Sequence, residues 1–212
     1  MKKFFVLASL VLMVSVYALA AGNFFSDPAS AVDALPKQTL SASEVLGMLQ
    51  MREEEKLARD VYWTLYQKWG DKIFYNIAQS EKTHMAAVKA LLDKYDLQDP
   101  VTNNATGAFT NPHIKELYVQ LVKEGDKSLV DALKMGARIE ELDIYDLDVF
   151  LKQTNNEDIK LVYENLKKGS ENHLRAFMSQ LEKQGATYKP IYISQEQFDS
   201  ILNATQQKGH GK

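Results

Sequence analysis

The chain has 212 residues, no cysteine, and 25 basic against 28 acidic side chains, a formal charge of −3. That length suits one core of ordinary size, and the mildly acidic balance excludes a basic nucleic-acid surface. The lack of cysteine excludes disulfides, thiolate-bound iron and any rubredoxin-like or iron–sulfur module.

Met1-Lys2-Lys3, followed by an apolar run from Phe4 to Ala21 broken by Ser9 and Ser15, has the layout of a secretory signal peptide, residues 1–20. Ala18-Leu19-Ala20 supplies the small-residue exit. An uncleaved N-terminal membrane anchor is the competing reading, because 18 apolar-rich residues just span a bilayer. Either reading places the folded part outside the cytoplasm, periplasmic or secreted. Cleavage would take the formal charge to −5, since Lys2 and Lys3 leave with the signal. Residues 21–40, rich in Ala, Ser, Pro and Asp without periodicity, read as a linker.

A bundle domain is expected over residues 41–195. Ser41-Ala-Ser-Glu44 is a capping-box pattern that opens a long helix ending near Trp69, with Gly70 as its stop. A second long helix spans about Lys72 to Tyr95, and residues 97–112 are turn-rich loop. A short amphipathic helix follows from His113 to Glu124, closed by Gly125-Asp126. The third long helix covers about Ser128 to Gln153. The fourth opens on the capping-type pattern Thr154 to Glu157 and runs to Gln184, before Gly185. Tyr188 to Ser194 reads as extended. Residues 196–212 form a tail, with a short helix over Ser194 to Asn203 and a frayed end. The class is all-α: a four-helix bundle with one long crossover and short extra helices.

Each long helix carries an apolar stripe interrupted by a polar residue near its middle. The first runs Met48, Met51, Glu55, Ala58, Tyr62, Leu65, Trp69, with Glu53 and Glu54 off the stripe and solvated. The second runs Phe74, Ile77, Glu81, His84, Val88, Leu91, Tyr95, and sets a carboxylate and an imidazole one turn apart. The third runs Val130, Leu133, Ala137, Glu140, Ile144, Leu147, Leu151, with Asp143 at its edge and Glu141 off it. The fourth is Ile159, Tyr163, Leu166, Ser170, His173, Phe177.

Singly, a helical Glu is a solvated charge and an inward His a hydrogen-bonded core residue. Three carboxylates and two imidazoles at the middles of four stripes are another matter. Burying several like charges costs several kcal/mol per ion, and no Lys or Arg occupies a stripe centre. A bound cation would supply the missing charge. Carboxylate with imidazole and no thiolate suits iron or manganese, with zinc as a further option. Glu81 and Glu140 would bridge two metals, and Glu55, His84 and His173 would be terminal ligands.

At these residues the chain resembles the ferritin-like superfamily, toward its rubrerythrin end. Glu55-Lys-Leu-Ala-Arg-Asp-Val-Tyr62 resembles a ligand Glu followed seven residues later by Tyr, and Glu81-x-x-His84 matches the second-helix motif. Met51 to Tyr62, Ser80-Glu-x-x-His-Met85 and Gly169-Ser-Glu-Asn-His-Leu-Arg-Ala-Phe177 resemble an uncharacterised prokaryotic ferritin-like family, domain of unknown function 2202. The resemblance spans about residues 44–195. One departure stands out: a second Glu-x-x-His is expected on the fourth helix, but Ser170 precedes His173, and Glu171 lies about 100° around the helix. Three outcomes stay open: Asp143 compensates, one metal position is weak or empty, or Ser170 holds a metal-bound water.

The resemblance implies a non-haem di-iron centre, or a manganese or mixed one, that reacts with dioxygen or hydrogen peroxide. Electrons would come from a separate donor or from the metal ions, and Tyr62 would tune or protect the centre unless it is simply a core aromatic with a bonded hydroxyl. Ser170 puts that redox chemistry in question more than metal binding. Two alternatives stay open: a non-catalytic iron-binding or carrier protein, and a metal-free helical interaction domain. A homodimer is compatible with such a bundle.

Overall fold

Most helices begin where the sequence supplies a side-chain acceptor for free backbone amides. In the computed structural model, which describes Phe24 and residues 26–204, Asp27 caps α1 (Pro28–Asp33). Ser41 and Glu44 close a reciprocal capping box on α2 (Ala42–Trp69), whose far end is turned by Gly70 at φ 68°. Asp71 caps α3 (Lys72–Lys94), Asn111 caps α4 (Pro112–Gly125) and Ser128 caps α5 (Leu129–Leu151). α6 (Glu157–Lys183) follows, and Ser194 caps α7 (Gln195–Asn203). The described residues thus form seven helices and no strand. The segment read as a signal peptide, and residues 205–212, lie outside the described residues. No described helix is long and apolar enough to cross a membrane.

Gly70-Asp71 returns the chain so that α2 and α3 pack as one pair; residues 152–156 do the same for α5 and α6. Residues 95–111 and α4 cross between the pairs, with α4 packed on α2 and α5. The apolar core falls into two clusters. One gathers Ala58, Tyr62, Phe74, Leu133 and Phe177; the other gathers Met48, Met51, Leu91, Leu147 and Leu166. Along α2, α3 and α6 the buried polar residues 55, 81, 84 and 170 sit where one cluster gives way to the other, and Glu140 of α5 is buried beside them. A polar layer therefore cuts the core across its middle.

Two expectations need correction. The stretch read as a linker packs: Phe24, Ala31, Val32 and Leu35 are buried, and Lys94 Nζ donates to the carbonyls of Val32 and Leu35 at 2.8 Å each. A helix of six residues is too short to show a period in the sequence.

Glu53 and Glu54 are buried rather than solvated. The crossover lies over the polar face of α2, and its amides need acceptors. Glu53 Oε1 accepts from the amide of Thr110 at 2.7 Å and from that of Asn111 at 3.1 Å. Lys56 pairs with Asp60 at 2.5 Å and donates to Ala105 O at 2.9 Å, while Arg52 pairs with Asp99.

Glu141 is also buried, off the polar layer. Its carboxylate accepts from Tyr188 Oη at 2.5 Å and from the successive amides of Ile191, Tyr192 and Ile193, which pins the segment after α6.

Candidate metal centre

The i, i+3 spacing on α3 puts Glu81 Oε2 2.7 Å from His84 Nδ1. Glu55, from α2, reaches the same nitrogen at 3.2 Å. The other Glu81 oxygen, Oε1, lies 2.9 Å from Nδ1 of His173 on α6, which is 3.4 Å from Glu140 Oε2 on α5. Two triads result: Glu55, Glu81 and His84, then Glu81, Glu140 and His173. Within each, the donor atoms lie within 4.8 Å of one another. Glu81 alone is common to both. Glu140 groups with Glu81 and His173.

The layer is dry. Four of the five residues are at most 1% exposed, and His173 is 12% exposed at its side chain. Burial without a partner is expensive for a polar atom. Yet Glu55 Oε1, Glu81 Oε1, Glu140 Oε2 and His173 Nδ1 are buried with no hydrogen-bond partner. The Glu81–His173 contact is therefore close without being aligned as a hydrogen bond.

Neighbours fix the donors. Tyr62 Oη donates to Glu140 Oε1 at 2.5 Å, and Ser80 Oγ sits 3.1 Å from His173 Nε2. The His84 ring lies against Gly169, where a Cβ would fall 2.5 Å from Nε2. The two imidazoles stack at 5.5 Å. Asp143 is buried with Oδ2 unpartnered, and it belongs to neither triad. Ser170 is buried too, but its hydroxyl donates to Leu166 O of its own helix at 3.2 Å.

Protons gather where positive charge is lacking. Burial pushes Glu55 up to about 8 against the pull of His84, and drives Asp143 well above the carboxylate range with help from Glu55 and Glu140. Burial also raises Glu140. Glu81 falls below the ordinary range: burial acts upward, but the two imidazoles outweigh it. Burial opposes charge on His84 and His173, yet the facing carboxylates raise both, His173 to about 10. Two acidic neighbours, Glu54 and Asp146, add to this field; burial and Asp146 raise Glu54 to about 8.

Sequence reasoning assigned no role to Ser80, Gly169 or Glu54. The first two stand inside the quoted strings, but their roles arise only when α3 meets α6.

Residues 44–205 match a family described as an uncharacterized protein domain, DUF2202, and the chain belongs to that family. The chain is 57% identical over 178 residues to the uncharacterized protein MJ0754 of Methanocaldococcus jannaschii, covering 84% of this chain and 96% of that protein. It is likewise similar to the crystal structure of a hypothetical protein of Methanococcus jannaschii. There the TM-score is 0.81 and the identity 58%, over 82% of this chain and 99% of that one.

Proposed function

We propose that the protein is an exported, ferritin-like metal protein whose helical bundle holds two metal ions, iron before manganese or zinc, and reacts with dioxygen or hydrogen peroxide. The observation that carries this reading is the pair of buried triads sharing Glu81, with donor atoms that nothing else satisfies.

The residues fit such a group. Metal–donor bonds of about 2.1 Å put ligand atoms roughly 3–4 Å apart, within the spread found here. Ionised Glu55, Glu81, Glu140 and Asp143 carry four negative charges, which two divalent ions balance. Oxygen and imidazole donors without thiolate favour iron or manganese. Glu55 and His84 would hold one ion and Glu140 and His173 the other, with Glu81 between them. A bound iron pair supplies one-electron redox chemistry toward an oxidant.

The chain's own groups do the rest. Tyr62 orients Glu140 and keeps its proton, its ionisation opposed by burial and by the Glu140 charge. With Nδ1 of His173 on a metal, Nε2 would carry the ring proton and donate it to Ser80 Oγ. Flanking apolar clusters exclude water. With no cysteine, electrons come from a separate donor or from the metal being oxidised.

The position of Ser170 favours one second reading, a metal carrier without turnover, because its hydroxyl is committed to Leu166 O and offers no carboxylate from α6. Oxygen or peroxide consumption by the iron-loaded protein separates the two.

The test of metal binding is metal content per chain after anaerobic loading with iron or manganese. His84→Ala and Glu140→Ala should each lose most of one ion, while Glu53→Ala, which faces the crossover, should keep both. Equal retention in all three would reject the assignment.

A further inference from the structure

A buried centre needs a way in. The surface depressions beside α3 are poor candidates for a cation, because basic side chains outnumber acids in each: Arg59 and Lys82 against Asp60, Arg52, Arg59, Lys82 and Lys89 against none, and Lys72 and Arg175 against Asp71. The seam between α2 and α5 has the opposite character. On α5, Glu140, Asp143 and Asp146 follow one another at steps of three, so they climb one helix face away from the centre. Asp146 is half-buried at the outer end. Its carboxyl lies beside that of Glu54 on α2, and Glu54 stands next to Glu55.

An acidic row alone would mean little. Two of its members hold a buried oxygen that no donor reaches: Glu54 Oε2 and Asp143 Oδ2 have no hydrogen-bond partner. Glu54 is 3% exposed and Asp143 2%. Gln50 Nε2 donates to the other Glu54 oxygen at 2.8 Å and fixes its direction. Lys167 of α6 is committed to Asp148 at 2.5 Å. The row holds oxygen donors only, without the imidazoles of the centre. Hard divalent cations exchange their water for carboxylate oxygens, and such a set passes an ion on to the stronger mixed donors.

We propose that Asp146, Glu54 and Asp143 form the uptake route by which a divalent cation reaches the buried triads, a proposal that rests on the metal function above. A group on the route changes how fast the ion enters and leaves by the same factor, and leaves the equilibrium alone.

The test uses the metal-free full chain and Co(II), whose visible absorption reports loading in a stopped-flow mixer. Uptake, release to excess EDTA and the final Co:protein ratio are all measured. Asp146→Asn and Glu54→Gln should each slow uptake and release by at least about tenfold at an unchanged final ratio, while Asp93→Asn on the exposed face of α3 changes nothing. Wild-type rates in both variants would overturn the route. A lower final ratio at unchanged rates would also overturn it, making these side chains ligands or supports. Asp146 is only partly buried, so Asp146→Asn carries the test should Glu54→Gln fail to fold. A wild type that takes up no Co(II) is a different failure: it removes the metal reading itself, and the route with it.

Discussion

Gly169→Ala probes the centre by shape alone, without touching a charged group. An added Cβ would lie 2.5 Å from Nε2 and 2.6 Å from Cε1 of His84, where ordinary contact begins at 3.4 Å, so the ring would have to move by about 0.9 Å. On its other edge Nδ1 already faces Glu81 at 2.7 Å and Glu55 at 3.2 Å, so the ring has no room to advance. Metal–ligand distances tolerate only about 0.2 Å. The Glu55–Glu81–His84 position should therefore empty, leaving about one ion per chain in place of two. The fold itself should survive. Alanine gains about 1 kcal/mol over glycine inside a helix, against an overpacking cost of about 1–3 kcal/mol, so the metal-free chain should lose no more than about 2 kcal/mol. Elemental analysis and urea unfolding of the metal-free protein read the two quantities. Full occupancy at wild-type affinity in Gly169→Ala would show that His84 is not held as a ligand there.

Tyr62→Phe removes the donor to Glu140 Oε1 and should weaken metal binding by about 10–100-fold, the usual effect of losing a group that orients a ligand; titration calorimetry showing wild-type affinity would reduce Tyr62 to a core aromatic. The pH dependence has a definite sign. Stability from His84 and His173, whose pKa values rise on folding, is complete below about 6.5 and lost as pH climbs toward 10. Glu55 acts the same way between 4.5 and about 8, because the unfolded chain ionises it first. Glu81 is opposite in sign, its contribution present above 4.5 and lost in acid. Between pH 6 and 8 the metal-free protein should therefore become less stable, and the rise in Tm on adding Mn(II) should grow, since the metal replaces those protons. A rise that shrinks with pH would contradict the assigned protonation. Glu141→Gln strips the charge from a carboxylate with four donors and should cost about 1.5–3 kcal/mol in urea unfolding while loosening residues 188–193 to protease; a loss under about 0.5 kcal/mol would make that anchor dispensable.

How much was legible follows the range of each signal. Caps act within four residues, so Ser41 with Glu44, Gly70 and Ser128 marked helix ends to within a few positions. Stripe phase is a property of one helix, and it turned Glu55, Glu81, His84, Glu140 and His173 inward to the same layer. The neighbouring charges were misjudged for a related reason. Glu53 and Glu54 lie off the stripe, but the acceptors and cover that bury them come from Thr110, Asn111 and Asp146, more than fifty residues away. Glu140 and Glu141 differ by one position; both are buried, and only their partners distinguish them.

By itself the sequence determined the long helices and the apolar stripe of each, because both are local consequences of hydrogen-bond closure and of a 3.6-residue period. Tertiary structure alone decided that Glu81 is shared and Glu140 is not, that Gly169 admits His84, and that Ser80 meets His173. Those relations depend on the height and rotation of one helix against another. Packing of whole faces sets that quantity, and no single segment contains it.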